Sequence, residues 1–235
     1  MNGFYAIAID GPSGAGKSTL AKRLASAFNF IYVDTGAIYR TLGLACYRAG
    51  IDRKNPAAVM EKLSSIRISI GYNKAGEQRM MLDGEDVSAE IRLPEISLAA
   101  SDVSAIPEVR AFLLEMQRRF ARESHVIMDG RDIGTVVLPQ AELKIFLTAS
   151  PEARALRRMK DLQQKGIEEP YEQVLAEIIQ RDEQDSSRAA APLKQAEDAI
   201  LVDSSDLSFE ETFQLLCEIV ISRLAVAQEG QPCES

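Results

Sequence analysis

The octapeptide Gly11-Pro12-Ser13-Gly14-Ala15-Gly16-Lys17-Ser18 decides the reading of this chain. It meets the phosphate-binding pattern G-x-x-x-x-G-K-[ST] at every fixed position. Residues 4–10 before it (FYAIAID) are a short apolar run of strand length, and residues 19–28 after it (TLAKRLASAF) have helical character. Strand, glycine loop and helix in that order is what phosphate binding needs. Glycines let backbone N–H groups converge on phosphate oxygens, and the helix N-terminus adds partial positive charge. Lys17 supplies a full charge for the β- and γ-phosphates, and the Ser18 hydroxyl suits Mg²⁺. With Thr19, these residues form the candidate nucleotide-binding loop. The competing reading is a tight glycine turn that binds nothing; the flanking strand and helix argue against it.

Outward from the loop, a second apolar strand covers 30–33 and ends in Asp34-Thr35-Gly36, with a helix over 37–48. Asn55-Pro56 opens a short helix to about 65, with Asn55 as its cap. Residues 67–72 alternate apolar and polar, and 79–82 resume extended character after Asn73-Lys74-Ala75-Gly76. That pattern is a hairpin, foreign to a β-α-β rhythm, and marks an insert over about 63–90. Pro107 opens a helix to 123, with Val109, Phe112, Leu113, Met116 and Phe120 on one face. Strands follow at 125–128 and 143–148, helices at 151–165 and 171–187, a last strand at 199–202 and a helix at 209–226. Five apolar strands separated by helices predict a three-layer α/β fold on a mostly parallel sheet. Residues 1–227 read as one domain, with its core at 1–62, 91–150 and 189–227. Residues 228–235 read as a disordered polar tail.

Composition narrows the function classes. A net charge of −8 disfavours nucleic acid and anionic membranes as partners. No run of about 18 apolar residues exists and no signal segment precedes the first strand, so a cytoplasmic protein is expected. Cys46, Cys217 and Cys233 are too few and too scattered for a disulfide framework or a zinc site. Cys46 and Cys217 fall in apolar stretches and read as core. The single histidine, His125, abuts a strand and reads as structural.

Asp10, Asp34, Asp129 and Asp203 all stand at carboxyl ends of strands, where ligands gather in parallel sheets. Asp129 is a candidate to hold Mg²⁺ or its waters, against a turn-capping aspartate as the alternative. Asp203 reads as a plain cap. Arg131 and Asp132 share the strand end with Asp129; Arg131 can grip a phosphate as a fork, and Asp132 can orient an arginine or a hydroxyl. Arg181, Asp185 and Arg188 share a helix face if the helix continues, as do Arg154, Arg157 and Arg158 further upstream. Surface ion pairs and a solvated charged face are the competing readings. A basic helix followed by Lys165-Gly166 and Glu168-Glu169-Pro170 suits a lid over 151–170, since phosphoryl transfer needs cations over the moving group and water excluded.

Together these motifs resemble the bacterial cytidylate kinases among nucleoside monophosphate kinases. The resemblance rests on residues 9–18, on D-T-G-A-I-Y-R at 34–40, D-G-E-D-V at 83–87, D-G-R-D-I-G-T at 129–135, K-I-F-L at 144–147, and Arg181-Asp182 through Arg188. It spans about residues 4–224. The resemblance implies a five-stranded parallel sheet, a small substrate-binding insert of three strands and a short lid. It implies MgATP as donor and CMP or dCMP as acceptor, with UMP poor. Thr35, Ser101 and Arg110 would then lie against the cytosine, with Asp132 bracing Arg110 or reading the base. Arg40, Arg131 and Arg181 would hold the acceptor phosphate, Asp185 the ribose hydroxyls, and Arg188 would lie near base and ribose. Lys17, Arg131, Arg181 and the lid residue Arg158 are the catalytic candidates, with Ser18 and Asp129 at the metal. A monomer is expected, because no spare amphipathic element is evident.

Overall fold

The computed structural model describes residues 4–164 and 166–229. In chain order the elements are β1 (Ala6–Asp10), α1 (Lys17–Phe28), β2 (Ile31–Asp34), α2 (Thr35–Arg48), α3 (Pro56–Ser65), β3 (Ile68–Tyr72), β4 (Gln78–Leu82) and β5 (Glu85–Asp86). There follow α4 (Pro94–Ser104), α5 (Pro107–Glu123), β6 (Val126–Gly130), β7 (Leu143–Thr148), α6 (Pro151–Gln164), α7 (Tyr171–Ser187), β8 (Ile200–Asp203) and α8 (Phe209–Glu229).

The main sheet is parallel and ordered β2-β6-β1-β7-β8. Alternation along β1 builds two layers at once. Ile7 and Ile9 pack with Leu20 and Leu24 of α1 and Leu216 and Val220 of α8; Ala6 and Ala8 face Met128, Ile133, Val137 and the Leu114 side of α5. Each fully buried isoleucine or leucine here contributes about 1.5–3 kcal/mol. The chain passes from β6 across β1 to β7, so a crevice opens above β1 and β6 at their carboxyl ends. Register then aligns the acidic residues, with Asp34 beside Asp129 and Asp10 beside Gly130.

The insert is a three-stranded antiparallel sheet, β3-β4-β5. It has no core of its own: Ile68, Met80, Leu82 and Val87 pack into one cluster with Ile38 and Leu42 of α2 and Leu113 of α5. Asn55 caps α3 by accepting the Ala58 N–H at 3.2 Å. Two glycines are dictated by approach. A Cβ on Gly11, where φ is +147°, would sit 1.9 Å from the Leu147 carbonyl oxygen, and one on Gly43 would meet the backbone of α4 at 2.9 Å.

Several expectations need correction. Phe112 does not share the buried face of α5; it is 53% exposed, and Gln117 takes the third buried position after Val109 and Leu113. Helix α4 is not evident in the sequence, because Leu93-Pro94 and a small-residue run give weak periodicity. Helix α8 continues to Glu229, past the expected start of the tail; residues 230–235, with Cys233, lie outside the described residues, as does Lys165. Cys46 is buried and Cys217 partly so. His125 is bound into the fold: its Nδ1 accepts the Tyr5 N–H at 2.9 Å, and its ring packs between Phe4 and Phe30. Among the described residues no helix is long and apolar enough to cross a membrane.

Candidate active site

Residues Ser13 to Leu20 form one wall of a cavity of about 830 Å³ over the carboxyl edge of the sheet. Helix α1 starts at Lys17 with no side-chain cap and no acidic residue in its first turn, which leaves its N-terminal amides and dipole for an anion. Gly11 and Pro12 stand behind the wall. The Pro12 carbonyl accepts from Lys17 Nζ at 2.7 Å, and Thr19 lies on the rim. Lys17 is buried; desolvation and then the nearby Arg131 charge push its ammonium well below the usual lysine range. An incoming polyanion offsets both effects by its charge.

The three aligned aspartates have different tasks. Asp10 accepts the N–H groups of Ile133 and Gly134, each at 2.7 Å, and so anchors a single wide turn over 133–137. Arg118 holds the far side of that turn through the carbonyls of Val136 and Val137. Burial raises the Asp10 carboxyl to about 6, against the pull of its two backbone donors. Asp34 caps α2 through the Ala37 N–H and pairs with Arg40 Nη2 at 2.7 Å. Asp129 accepts from Ser18 Oγ at 2.7 Å on one oxygen and from Tyr32 Oη at 2.8 Å on the other. Burial and then Asp34 push its pKa up. A hydroxyl and a carboxylate in contact beside a phosphate loop form an all-oxygen donor set. That suits Mg²⁺, which takes one or two protein oxygens and completes its shell with phosphate and water. Among the described residues no cluster of three or more His, Cys, Asp or Glu could hold a metal by itself.

The opposite wall is made of arginine. Eight cationic side chains line the cavity against five carboxylates, although the whole chain carries −8. Arg131 Nε donates to Asp185 at 2.6 Å, and Arg110 pairs with Asp132. Arg188 lies 3.8 Å from both Asp132 and Asp185. Burial, outweighed by Arg131, Arg188 and Arg181, leaves the Asp185 carboxyl below the usual range. Arg181 is lowered to about 10, first by burial and then by Arg131. Three guanidinium nitrogens, Arg40 Nε, Arg181 Nε and Arg188 Nη2, are buried without a hydrogen-bond partner. Unsatisfied buried donors on like-charged groups are costly by themselves and become favourable against an anion.

The remaining expected residues divide: Thr35, Ser101 and Arg110 join the cavity and Arg158 does not. Thr35 donates to the Asp129 carbonyl at 2.8 Å, and Ser101 lines the cavity from α4 beside Arg110. Arg110 also donates to the Ser104 carbonyl and lies over the Tyr39 ring at 5.3 Å. The basic face of α6 divides three ways. Arg154 is buried and fixed by Asp182, the Ala149 carbonyl and the Ser13 carbonyl, so it ties α6 and α7 to the phosphate loop. Arg157 lines the cavity and bonds Ser204. Arg158 is exposed and off the lining, although its charge acts on Arg181. Asp203 caps its own turn through the Ser205 N–H.

Sequence reading missed Tyr32, Tyr39 and the rim of Lys160, Asp161, Leu207 and Phe209. Tyr32 carried a signal, since the pairing of β2 with β6 sets it beside Ile127, two register positions before Asp129 and so on the same face of the sheet.

A model of the family described as cytidylate kinase matches residues 7–222. The chain is 53% identical over 213 residues to a cytidylate kinase of Caldicellulosiruptor bescii, covering 91% of this chain and 94% of that one. It is 51% identical to one of Caldanaerobacter subterraneus (91% and 93% covered) and 48% identical to one of a Geobacter species (95% and 96% covered). With the phosphate loop, the facing arginines and this match over nearly its whole length, the chain belongs to the cytidylate kinase family.

Proposed function

We propose that this protein transfers the γ-phosphoryl group of ATP to CMP or dCMP, giving ADP and CDP or dCDP, as a cytoplasmic monomer acting on free nucleotides. One observation carries the reading: a single cavity joins a phosphate loop to an arginine wall with three unpartnered buried donors. The loop suits a nucleoside triphosphate and the wall suits an acceptor that already bears phosphate.

The donor β- and γ-phosphates lie on the loop amides and Lys17. Ser18 and Asp129 would hold Mg²⁺, which would neutralise charge on those phosphates. Arg40, Arg131 and Arg181 take the acceptor phosphate and set one of its oxygens in line with the γ-phosphorus. That oxygen is already a nucleophile at neutral pH, so no strong general base is required. It bonds to phosphorus as the bridging oxygen departs with ADP. Asp185 takes the ribose hydroxyls, Thr35, Ser101 and Arg110 with its partner Asp132 take the base, and Arg188 lies near base and ribose. Catalysis is positioning plus charge stabilisation. The lid reading of 151–170 has α6 turning about its Arg154 tie, which brings Arg158 over the moving group.

The test is MgATP consumption with CMP, dCMP, UMP, AMP, GMP or no acceptor, with products separated by chromatography. CDP and dCDP are expected well above all other products. Preference for another acceptor would overturn the base assignments while keeping the loop.

A further inference from the structure

The acceptor wall depends on the insert through one side chain. β2 is an edge strand, so the backbone groups on its outer side lack a strand partner. The insert supplies partners without extending the sheet. Gln78 Oε1 accepts the Asp34 N–H at 2.8 Å, and Gln78 Nε2 donates to the Asp34 carbonyl at 3.3 Å. Tyr72, directly opposite Gln78 on the same rung of the hairpin, donates its hydroxyl to the Tyr32 carbonyl at 3.1 Å. One carboxamide therefore satisfies both main-chain groups of Asp34, as a neighbouring strand would. The Asp34 carboxylate is divided between the Ala37 N–H and Arg40 Nη2, and Arg40 Nε stands buried and unpartnered at the cavity.

We infer that Gln78 is a positioning residue for acceptor binding: it fixes the Asp34 backbone, and through the Asp34 carboxylate it sets the aim of Arg40. The inference rests on the proposed role of Arg40 at the acceptor phosphate. Gln78 does not line the cavity, so its influence passes through Asp34. The insert, on this account, is a brace for the β2–α2 junction, and its sequence tunes acceptor affinity without touching the acceptor.

The experiment is a double-mutant cycle on the full chain, with KM for CMP, KM for ATP, kcat and thermal midpoint measured for Gln78→Ala, Arg40→Ala and the pair. Gln78→Ala is expected to raise KM for CMP about 5- to 10-fold, with kcat and KM for ATP within about twofold of wild type. In the Arg40→Ala background the same change is expected to add less than about twofold. An unchanged KM for CMP, an equal rise in both backgrounds, or a matching rise for ATP overturns the inference. If Arg40→Ala itself leaves KM for CMP unchanged, the Arg40 role fails and this inference with it, while CDP formation in the acceptor panel stands untouched. Tyr72→Phe removes the neighbouring bond and leaves Asp34 bound, and it is expected to keep KM for CMP at the wild-type value. A rise matching that of Gln78→Ala would mean general loosening of the insert and overturns the assignment. Should Gln78→Ala not fold, Gln78→Met keeps the length of the side chain without charge and loses the bonds to both main-chain groups of Asp34. A wild-type KM for CMP in that variant overturns the inference equally.

Discussion

The two walls of the cavity are made in opposite ways. The loop wall is one unbroken stretch, residues 13–20, and works through backbone N–H groups, a helix end and one lysine. The facing wall takes Arg40 from α2, Arg110 from α5, Arg131 from the turn after β6, Arg181 and Asp185 from α7, and Arg188 from beyond it. Backbone donors are generic, so a few glycines at fixed spacing carry them on any sequence. Side-chain forks from distant elements must be assembled by the whole fold and held apart against their own repulsion by Asp34, Asp132 and Asp185. The first wall serves any triphosphate; the second can be altered residue by residue to select an acceptor.

The largest test of that contrast is Lys17→Ala, expected to lower kcat about 10³-fold or more with the thermal midpoint little changed, since the loop's shape comes from Gly11, Gly14 and Gly16. Near-normal turnover would break the loop assignment. Arg131→Ala comes next, with kcat expected to fall about 10²- to 10³-fold and KM for CMP to rise. This variant also leaves Asp185 without its 2.6 Å partner, so Arg131→Lys separates charge from geometry. Lysine keeps the charge and loses the fork, and is expected to recover only part of the rate. Full recovery would reduce Arg131 to a point charge.

The same contrast explains what was legible in the sequence. The loop, Ser18 and the strand-end aspartates are local patterns, and each stands where the pattern placed it. Arg131 is legible from its strand end, and helical spacing groups Arg181 and Arg188, but only the resemblance sets them with Arg40, since nothing in spacing says that residue 40 meets residue 181. Arg154 shows the converse: helical spacing grouped it with Arg157 and Arg158, but the Asp182 partner that buries it lies 28 residues away. Phe112 fails for a related reason, because an apolar residue at the margin of a helical stripe is exposed wherever the neighbouring element ends. Helix α4 was invisible because small residues pack it against α2 around Gly43, and tight small-residue contacts leave little hydrophobic periodicity to read.

Tyr32→Phe sharpens the boundary between the two walls. Asp129 faces the loop through Ser18 and the sheet through Tyr32, and the variant removes one of its two donors at almost constant volume. Burial already favours the protonated carboxyl, so losing a donor weakens its grip on a cation. Half-saturating Mg²⁺ is expected to rise about 3- to 10-fold, with KM for CMP unchanged. Direct binding of Mn²⁺ with ATP, followed by electron paramagnetic resonance, should weaken in parallel. A shift in CMP affinity instead would place Tyr32 with the acceptor wall.

The smallest effect is one of stability, at the hinge between the walls. Asp10 ends the strand that launches the loop, yet its carboxylate holds Ile133 and Gly134, directly after the turn that carries Arg131 and Asp132. Its folded-state value of about 6 stands above the ordinary 3.8. Between those values the folded chain keeps a proton that the unfolded chain has released. The contribution of this group to stability is thus fully present below about pH 4 and declines as pH rises through 6, by at most about 3 kcal/mol. Other carboxylates, Asp185 among them, titrate in the opposite sense, so the wild-type curve alone is a sum. The difference between wild type and Asp10→Asn isolates the group. The variant cannot ionise and accepts poorly at one of the two N–H groups, so wild type minus variant is expected to be largest near pH 4 and to fall towards pH 7. A gap that instead widens as pH rises would mean that the two backbone donors outweigh burial and that Asp10 holds the walls together as a carboxylate.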